Sequence, residues 1–161
     1  LQAAAVAALD YADPTDQLIG QFKFERRVSL APLLADLLAQ ALDGQSRADL
    51  IIPVPLSPAR LRERGYNQAW ELARRLPAHL GTADWRSVSR VIDTPPQRTL
   101  PAPERRSNLR SAFLVHRRLD GLRIAVVDDV MTTGSTVHEM ARVLRRAGAR
   151  EVVLWVVCRA P

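Results

Sequence analysis

Continuous apolar runs alternate along this chain with apolar residues at helical spacing. Ile124 to Val127, Asp49 to Pro55 and Glu151 to Val157 read as strands buried on both faces, the signature of a parallel sheet. Between them run helical stripes. Leu30, Leu33, Leu34, Leu37, Leu38 and Ala41 share one face, with Ser29 expected as cap, Pro32 in the first turns and Gly44 as the stop. Asn67 is expected to cap a second helix, with Ala69, Trp70, Ala73 and Leu76 facing inward before Pro77. Val137, Met140, Ala141 and Leu144 line a third, where Thr136 with Glu139 fits a capping box and Gly148 a stop. Elsewhere the signals are weaker. Ala-rich Leu1 to Leu9 reads as a short helix or a frayed start, Tyr11 to Thr15 as a turn around Pro14, and Ser87 to Ile92 and Ala112 to Val115 as short strands. Gly121 makes the turn into the central strand. Asp93 to Ser107 is a long polar loop rich in Pro, Arg and Thr, a kind of segment that is usually functional or mobile. Strands alternating with helices predict an α/β fold, a central parallel sheet flanked by helices.

One stretch carries the chemistry. The run ending at Val127 is followed by Asp128 and Asp129, then by Thr132, Thr133, Gly134, Ser135 and Thr136, and at once by the third helix. Open α/β sheets bind ligands at the carboxyl ends of their strands. Free N–H groups and the positive dipole end of a helix favour phosphate there. Gly134 allows close backbone approach, and the hydroxyls add donors. Two carboxylates would repel a phosphate unless they face something else. Ribose hydroxyls are donors that suit them, and a Mg²⁺ bound with the ligand would offset their charge. A sugar phosphate meets all these demands. The P-loop of nucleotide hydrolases is excluded, since its lysine is missing.

Composition narrows the setting. A chain of 161 residues forms one domain with a real core, and no apolar run approaches the ~20 residues that span a bilayer. The single cysteine, Cys158, excludes an internal disulfide and a cysteine zinc site, and reads as a small buried hydrophobe. With no signal peptide visible, a cytoplasmic location is expected. The net charge is +6, and Lys23 is the only lysine among 23 basic side chains. Such a balance suits an anionic ligand, a sugar diphosphate or a nucleic acid. Arg60, Arg62 and Arg64 crowd what reads as a loop from Leu56 to Gly65, beyond the strand that ends at Pro55. His79, His116 and His138 read as surface groups, with His138 in the first turn after the phosphate loop.

The stretch Val126-Val-Asp-Asp-Val-Met-Thr-Thr-Gly-Ser-Thr136 resembles the signature of the type I phosphoribosyltransferases, which bind phosphoribosyl pyrophosphate (PRPP). Further blocks resemble a narrower branch, the ComF competence-protein family: Ile19-Gly-Gln-Phe-Lys-Phe24, Ile52-Pro-Val-Pro55, Arg60, Arg64-Gly-Tyr-Asn-Gln68, and Gln97, Leu100, Arg106, Asn108, Ala112 and Phe113. The resemblance covers about Gln17 to Arg159. The family usually carries an N-terminal zinc ribbon. Its cysteines are absent here, which implies a chain truncated at its front, and no metal ligands are expected among these residues.

The resemblance implies a type I phosphoribosyltransferase-like domain over residues 1–161, with a small N-terminal hood in 1–28. It implies that an acceptor displaces pyrophosphate at ribose C1, through a transition state like an oxocarbenium ion. Asp128 and Asp129 would hold the ribose hydroxyls, beside Val127, while Thr132, Thr133, Gly134, Ser135 and Thr136 hold the 5-phosphate. Arg60 and Arg64 would meet the pyrophosphate with its Mg²⁺, and the loop bearing Arg105 and Arg106 would close over it. The hood, with Lys23, would choose the acceptor, which the sequence does not identify. The alternative is a non-catalytic PRPP-binding or DNA-uptake accessory protein with single-stranded DNA or a protein as partner.

Overall fold

Alternate residues of the two longest strands belong to different cores. The computed structural model describes residues 3–91 and 112–161. Strand β6 spans Arg123–Met131 and β7 spans Glu151–Arg159. Ile124 and Val126, with Val152, Leu154 and Val156, pack on one face. Ala125 and Val127, with Val153, Trp155 and Val157, pack on the other. This is why the runs are apolar without alternation. All pairings in the five-stranded sheet are parallel, in the order β1-β7-β6-β2-β3, with β1 at Ala4–Asp10, β2 at Leu50–Pro53 and β3 at Thr82–Ala83. The short strands β4 (Val88–Arg90) and β5 (Phe113–Val115) pair antiparallel as a separate ribbon.

The helices divide between the two faces. On one lie α1 (Thr15–Phe24), α2 (Ala31–Ala41) and α4 (Gln68–Ala73), through Ile19, Phe22, Leu34, Leu38, Leu72 and Ala73. A fully buried leucine such as Leu34 contributes roughly 1.5–3 kcal/mol. On the other face lies α5 (Ser135–Arg146), through Val137, Met140, Ala141 and Leu144.

Several sequence expectations are corrected. Residues 4–10 form neither a helix nor a frayed start: small alanines let them pair as an edge strand along β7. Within the expected 1–28 hood, these residues therefore belong to the sheet, and only the part from Thr15 onward overlies it. Ser29 does not cap α2, because a 3₁₀ turn at Val28–Leu30 leads straight into that helix. The arginine-rich loop is a helix, α3 (Pro58–Arg64): Ser57 accepts the Arg60 N–H at its start, Pro58 stands in the first turn, and left-handed Gly65 ends it. The Thr136–Glu139 capping box does not form. Left-handed Gly134 begins α5 without a side-chain cap, and Glu139 pairs with Arg142 instead. The segment Asp93 to Ser107 lies outside the described residues.

Candidate functional site

The crevice arises from connectivity. Pro53 of β2 stands opposite Val127 of β6, and the next amide, Val54 N–H, donates to Val127 C=O at 2.9 Å. There the chains diverge. The chain after β2 leads through α3 to α4 on one face, and the chain after β6 leads to α5 on the other. Neighbouring parallel strands whose following helices take opposite faces leave an opening at their carboxyl ends. Asp128 and Asp129 are the first residues beyond the shared ladder. They are still within β6, which runs on beside β7 through Met131.

The two carboxylates differ. Asp129 lies on the α1 side and is 1% exposed. Its Oδ1 accepts the Val130 N–H at 2.8 Å. Its Oδ2 is buried, has no hydrogen-bond partner among the described residues, and lies 3.3 Å from Lys23 Nζ. Asp128 keeps some surface, yet atoms crowd its carboxyl, and its Oδ1 accepts the Asp129 N–H at 2.8 Å. Desolvation, then the Asp129 carboxylate beside it, push Asp128 well above the usual carboxylate range, while Lys23 pulls it back. The pair thus combines a carboxyl that holds its proton tightly with one that meets a cation.

One arginine of α3 feels this pair. Arg60 and Arg64 are four residues apart, hence on one helix face, and both are half-buried. Arg62 and Glu63 are exposed. Burial lowers the Arg64 guanidinium from its ordinary value, and Asp129 and Asp128 oppose that effect, so Arg64 feels both acids. Its Nη1 donates to Gln68 Oε1, and its guanidinium lies 5.9 Å from the centre of the Phe24 ring.

The turn from Thr132 to Thr136 follows β6 and opens α5. Thr132 and Thr133 are exposed, and Thr133 Oγ1 and Ser135 Oγ are 2.9 Å apart. Ser135 and Thr136 already belong to the first turn of α5, whose leading N–H groups have no carbonyl within the helix to meet. Gly134 adopts φ 77°, and a Cβ there would point into open space. His138 is exposed, and its N–H bonds back to Gly134 C=O. The structure thus places Asp128, Asp129 and the turn from Thr132 to Thr136 in succession after Val127, with Arg64 near enough to feel both acids and Arg60 one turn from it on α3. Arg105 and Arg106 lie outside the described residues.

Other residues shape the site without having been read as part of it. The Tyr66 hydroxyl donates to Phe22 C=O, and Arg26 donates to Glu63 C=O at 2.7 Å, so α1 is tied to the α3 region. Asn67 caps α4 as expected and also donates to Val54 C=O at 3.1 Å, binding α4 to the end of β2. The block Gly65-Tyr-Asn-Gln68 carried that signal, but its role was readable only once the fold was known. Burial, with Asp129 adding to it, pushes the Cys158 thiol up to about 11, so it stays protonated at neutral pH. Among the described residues no group of three or more His, Cys, Asp or Glu is gathered for a metal, and no helix is long and apolar enough to cross a membrane.

Comparison with known proteins adds a second line. Residues 33–161 match the family described as "Phosphoribosyl transferase domain". The chain is 41% identical to "DNA utilization protein YhgH" of Salmonella typhimurium over 161 residues, covering 96% of this chain and 71% of that protein. It is 39% identical to "Competence protein F" of Haemophilus influenzae, covering 93% of this chain and 70% of that one. Among solved structures, an "allosteric regulatory enzyme of purine biosynthesis" superposes over 80% of this chain and 25% of its own, with a TM-score of 0.51 at 23% identity, a likeness of fold alone.

Proposed function

Because the chain belongs to the phosphoribosyl transferase domain family, in its ComF competence-protein branch, we propose that it binds PRPP and transfers phosphoribose to an acceptor with release of pyrophosphate. One observation supports this reading: the Asp128–Asp129 pair lies just beyond the ladder shared with β2, the start of α5 follows it, and Arg64 of α3 feels both acids. Each part matches one part of PRPP. The open N–H groups of Ser135 and Thr136, with the hydroxyls of Thr132 and Thr133, receive the 5-phosphate. Asp128 and Asp129 accept from ribose hydroxyls. Arg60 and Arg64 stand on the side of the diphosphate.

In the transfer, the bond from C1 to pyrophosphate breaks, the diphosphate leaves with the electron pair, and the acceptor forms the new bond at C1. The chain's part is to hold the ribose still and to balance charge that moves onto the leaving oxygens. Mg²⁺ would neutralise the diphosphate. Asp129 is paired with Lys23, and among the described residues no group of three or more His, Cys, Asp or Glu is gathered for a metal, so the ion fits as one carried by the diphosphate with water.

Calorimetric titration with Mg²⁺ and PRPP tests the reading. Wild type should bind, and Asp128→Asn with Asp129→Asn should abolish binding in a folded protein. Equal affinity of the double variant would refute it.

A second reading rests on the names of the relatives, DNA utilization protein and competence protein. It makes the chain a PRPP-binding accessory of DNA uptake without catalysis. Release of pyrophosphate from PRPP across a panel of acceptors separates the two.

A further inference from the structure

The sole lysine of the chain sits against the buried carboxylate of the site. Every other basic side chain is an arginine, 22 of them by subtracting one lysine from 23 Lys and Arg. Lys23 is held there by more than its own charge. It stands between Phe22, which is fully buried, and Phe24, which faces Arg64. Tyr66 hydrogen-bonds the Phe22 carbonyl and packs on its ring at 5.9 Å, which fixes the end of α1 over the crevice. Among the described residues Asp129 Oδ2 has no hydrogen-bond donor, and the ammonium at 3.3 Å is the cation paired with it. The lysine side chain is 25% exposed and the carboxylate 2%, so the acid is the buried member of the pair.

We propose that Lys23 is a positioning residue of the PRPP site, whose ammonium holds the Asp129 carboxylate oriented toward the ribose. The inference rests on the PRPP reading above. A buried carboxylate with no cation takes up a proton or turns away, and either change removes a hydroxyl acceptor. An ammonium is a compact point charge, which suits one carboxylate oxygen 3.3 Å away. A guanidinium is larger, planar and forked, and fits a single buried oxygen poorly.

Among the described residues the charged and titratable groups around Asp129 are Asp128 on β6, Lys23 on α1, Arg64 on α3, with Arg60 beside it, Tyr66 after α3, and Cys158 on β7. Lys23 also lowers the proton affinity of Asp128. Its removal should therefore move the acid limb of PRPP binding to higher pH.

The experiment measures Mg²⁺–PRPP affinity by calorimetry from acid to neutral pH for wild type, Lys23→Met, Lys23→Arg, Asp129→Asn and the Lys23→Met/Asp129→Asn double variant. Lys23→Met should weaken binding about tenfold or more, as loss of a charge-assisted contact does. Lys23→Arg should restore only part of this. The double variant should bind no worse than Asp129→Asn, since both changes break one unit. If Lys23→Met does not fold, the double variant against Asp129→Asn carries the test: equal affinity supports the role, and a further tenfold loss overturns it. Wild-type binding with Lys23→Met within about twofold of it, or additive losses in the double variant, would overturn the inference alone. Absence of PRPP binding by wild type would instead remove the site reading on which it rests.

Discussion

Lys23 Nζ lies 3.3 Å from Oδ2 of Asp129, and the adjacent Asp128 carries its proton-holding carboxyl on the same strand. Two neighbouring acids of identical chemistry thus have opposite relations to folding. Asp129 compensates a cation, whereas Asp128 is a charge that its surroundings disfavour. Substituting each should move stability in opposite directions.

Asp129→Asn should destabilise the protein. Lys23 would keep its charge beside a neutral amide. Breaking a fully buried pair costs about 3–5 kcal/mol, and the partial exposure of Lys23 brings the expected loss nearer to about 2 kcal/mol. Chemical denaturation at neutral pH checks this. An unchanged midpoint would mean that the pair contributes nothing to the fold.

Asp128→Asn should stabilise it, by a few degrees in Tm at pH 7. The sign follows from linkage. The folded-state pKa of Asp128 is raised, so the native state holds this proton more tightly than the unfolded chain. Stability is therefore fully present below the ordinary carboxylate pKa and is lost as pH rises through the raised value. The amide removes that loss and still accepts the Asp129 N–H as Asp128 does. The advantage of the variant should shrink as pH falls toward 4, roughly the ordinary Asp value. A constant advantage at all pH values would contradict a titrating Asp128 as the cause.

How much of this could be read from the chain depends on where the signal was local. The runs at Ile124 and Val152 and the stripe from Leu30 predicted the sheet and α2 because burial on two faces or one writes itself into consecutive residues. The positions of the two acids at the end of a strand and of the turn before a helix were equally legible, since consecutive residues carry them all. The first strand was not. Ala4 to Asp10 owes its state to pairing with β7, almost 150 residues away, and alanine favours a helix when nothing else intervenes. Helix α3 was missed for another reason. Ser57, Pro58 and Gly65 are a helix start and stop, but three arginines in seven residues drew the reading toward a loop. The capping box at Thr136 failed because Gly134 already turns the chain and Arg142 occupies Glu139. Lys23 was noted as a hood residue, yet its contact with Asp129 joins positions 106 residues apart (129 − 23) and no local pattern records it.

Gly134 should resist substitution for two separable reasons. Its φ of 77° strains any other residue, by roughly 1–3 kcal/mol, though asparagine tolerates this region better than valine. A Cβ there also enters open space that the proposed phosphate would fill. Gly134→Asn should therefore keep most of the stability that Gly134→Val loses, yet both should lose phosphate binding. Amide chemical shifts of Thr133 to Thr136 during a phosphate titration check this. Wild-type amides there that stay still while others move would put the phosphate site elsewhere.

The arginines of α3 should divide by helix face, not by charge. Arg60 and Arg64 sit one turn apart, half-buried, and Arg64 feels the Asp128 and Asp129 carboxylates. Arg62 points to solvent between them. A disordered basic loop would use all three arginines alike, since each would sample the same space. A capped helix cannot. Ser57 and Gly65 fix both ends, and the Arg64 guanidinium is further held by Gln68 and the Phe24 ring. Arg64→Met should weaken Mg²⁺–PRPP binding by about 1.5–3 kcal/mol, the worth of a hydrogen bond to a charged group, with Arg60→Met behaving similarly. Arg62→Met removes the same formal charge from the same short helix and should change affinity by less than about 0.5 kcal/mol. Calorimetry at two ionic strengths completes the test. Added salt should weaken wild-type binding more than it weakens Arg64→Met, because screening acts on the contact that the variant no longer has. Equal losses at all three positions would show that the helix face does not select the contacts, and would return this segment to a diffuse basic patch.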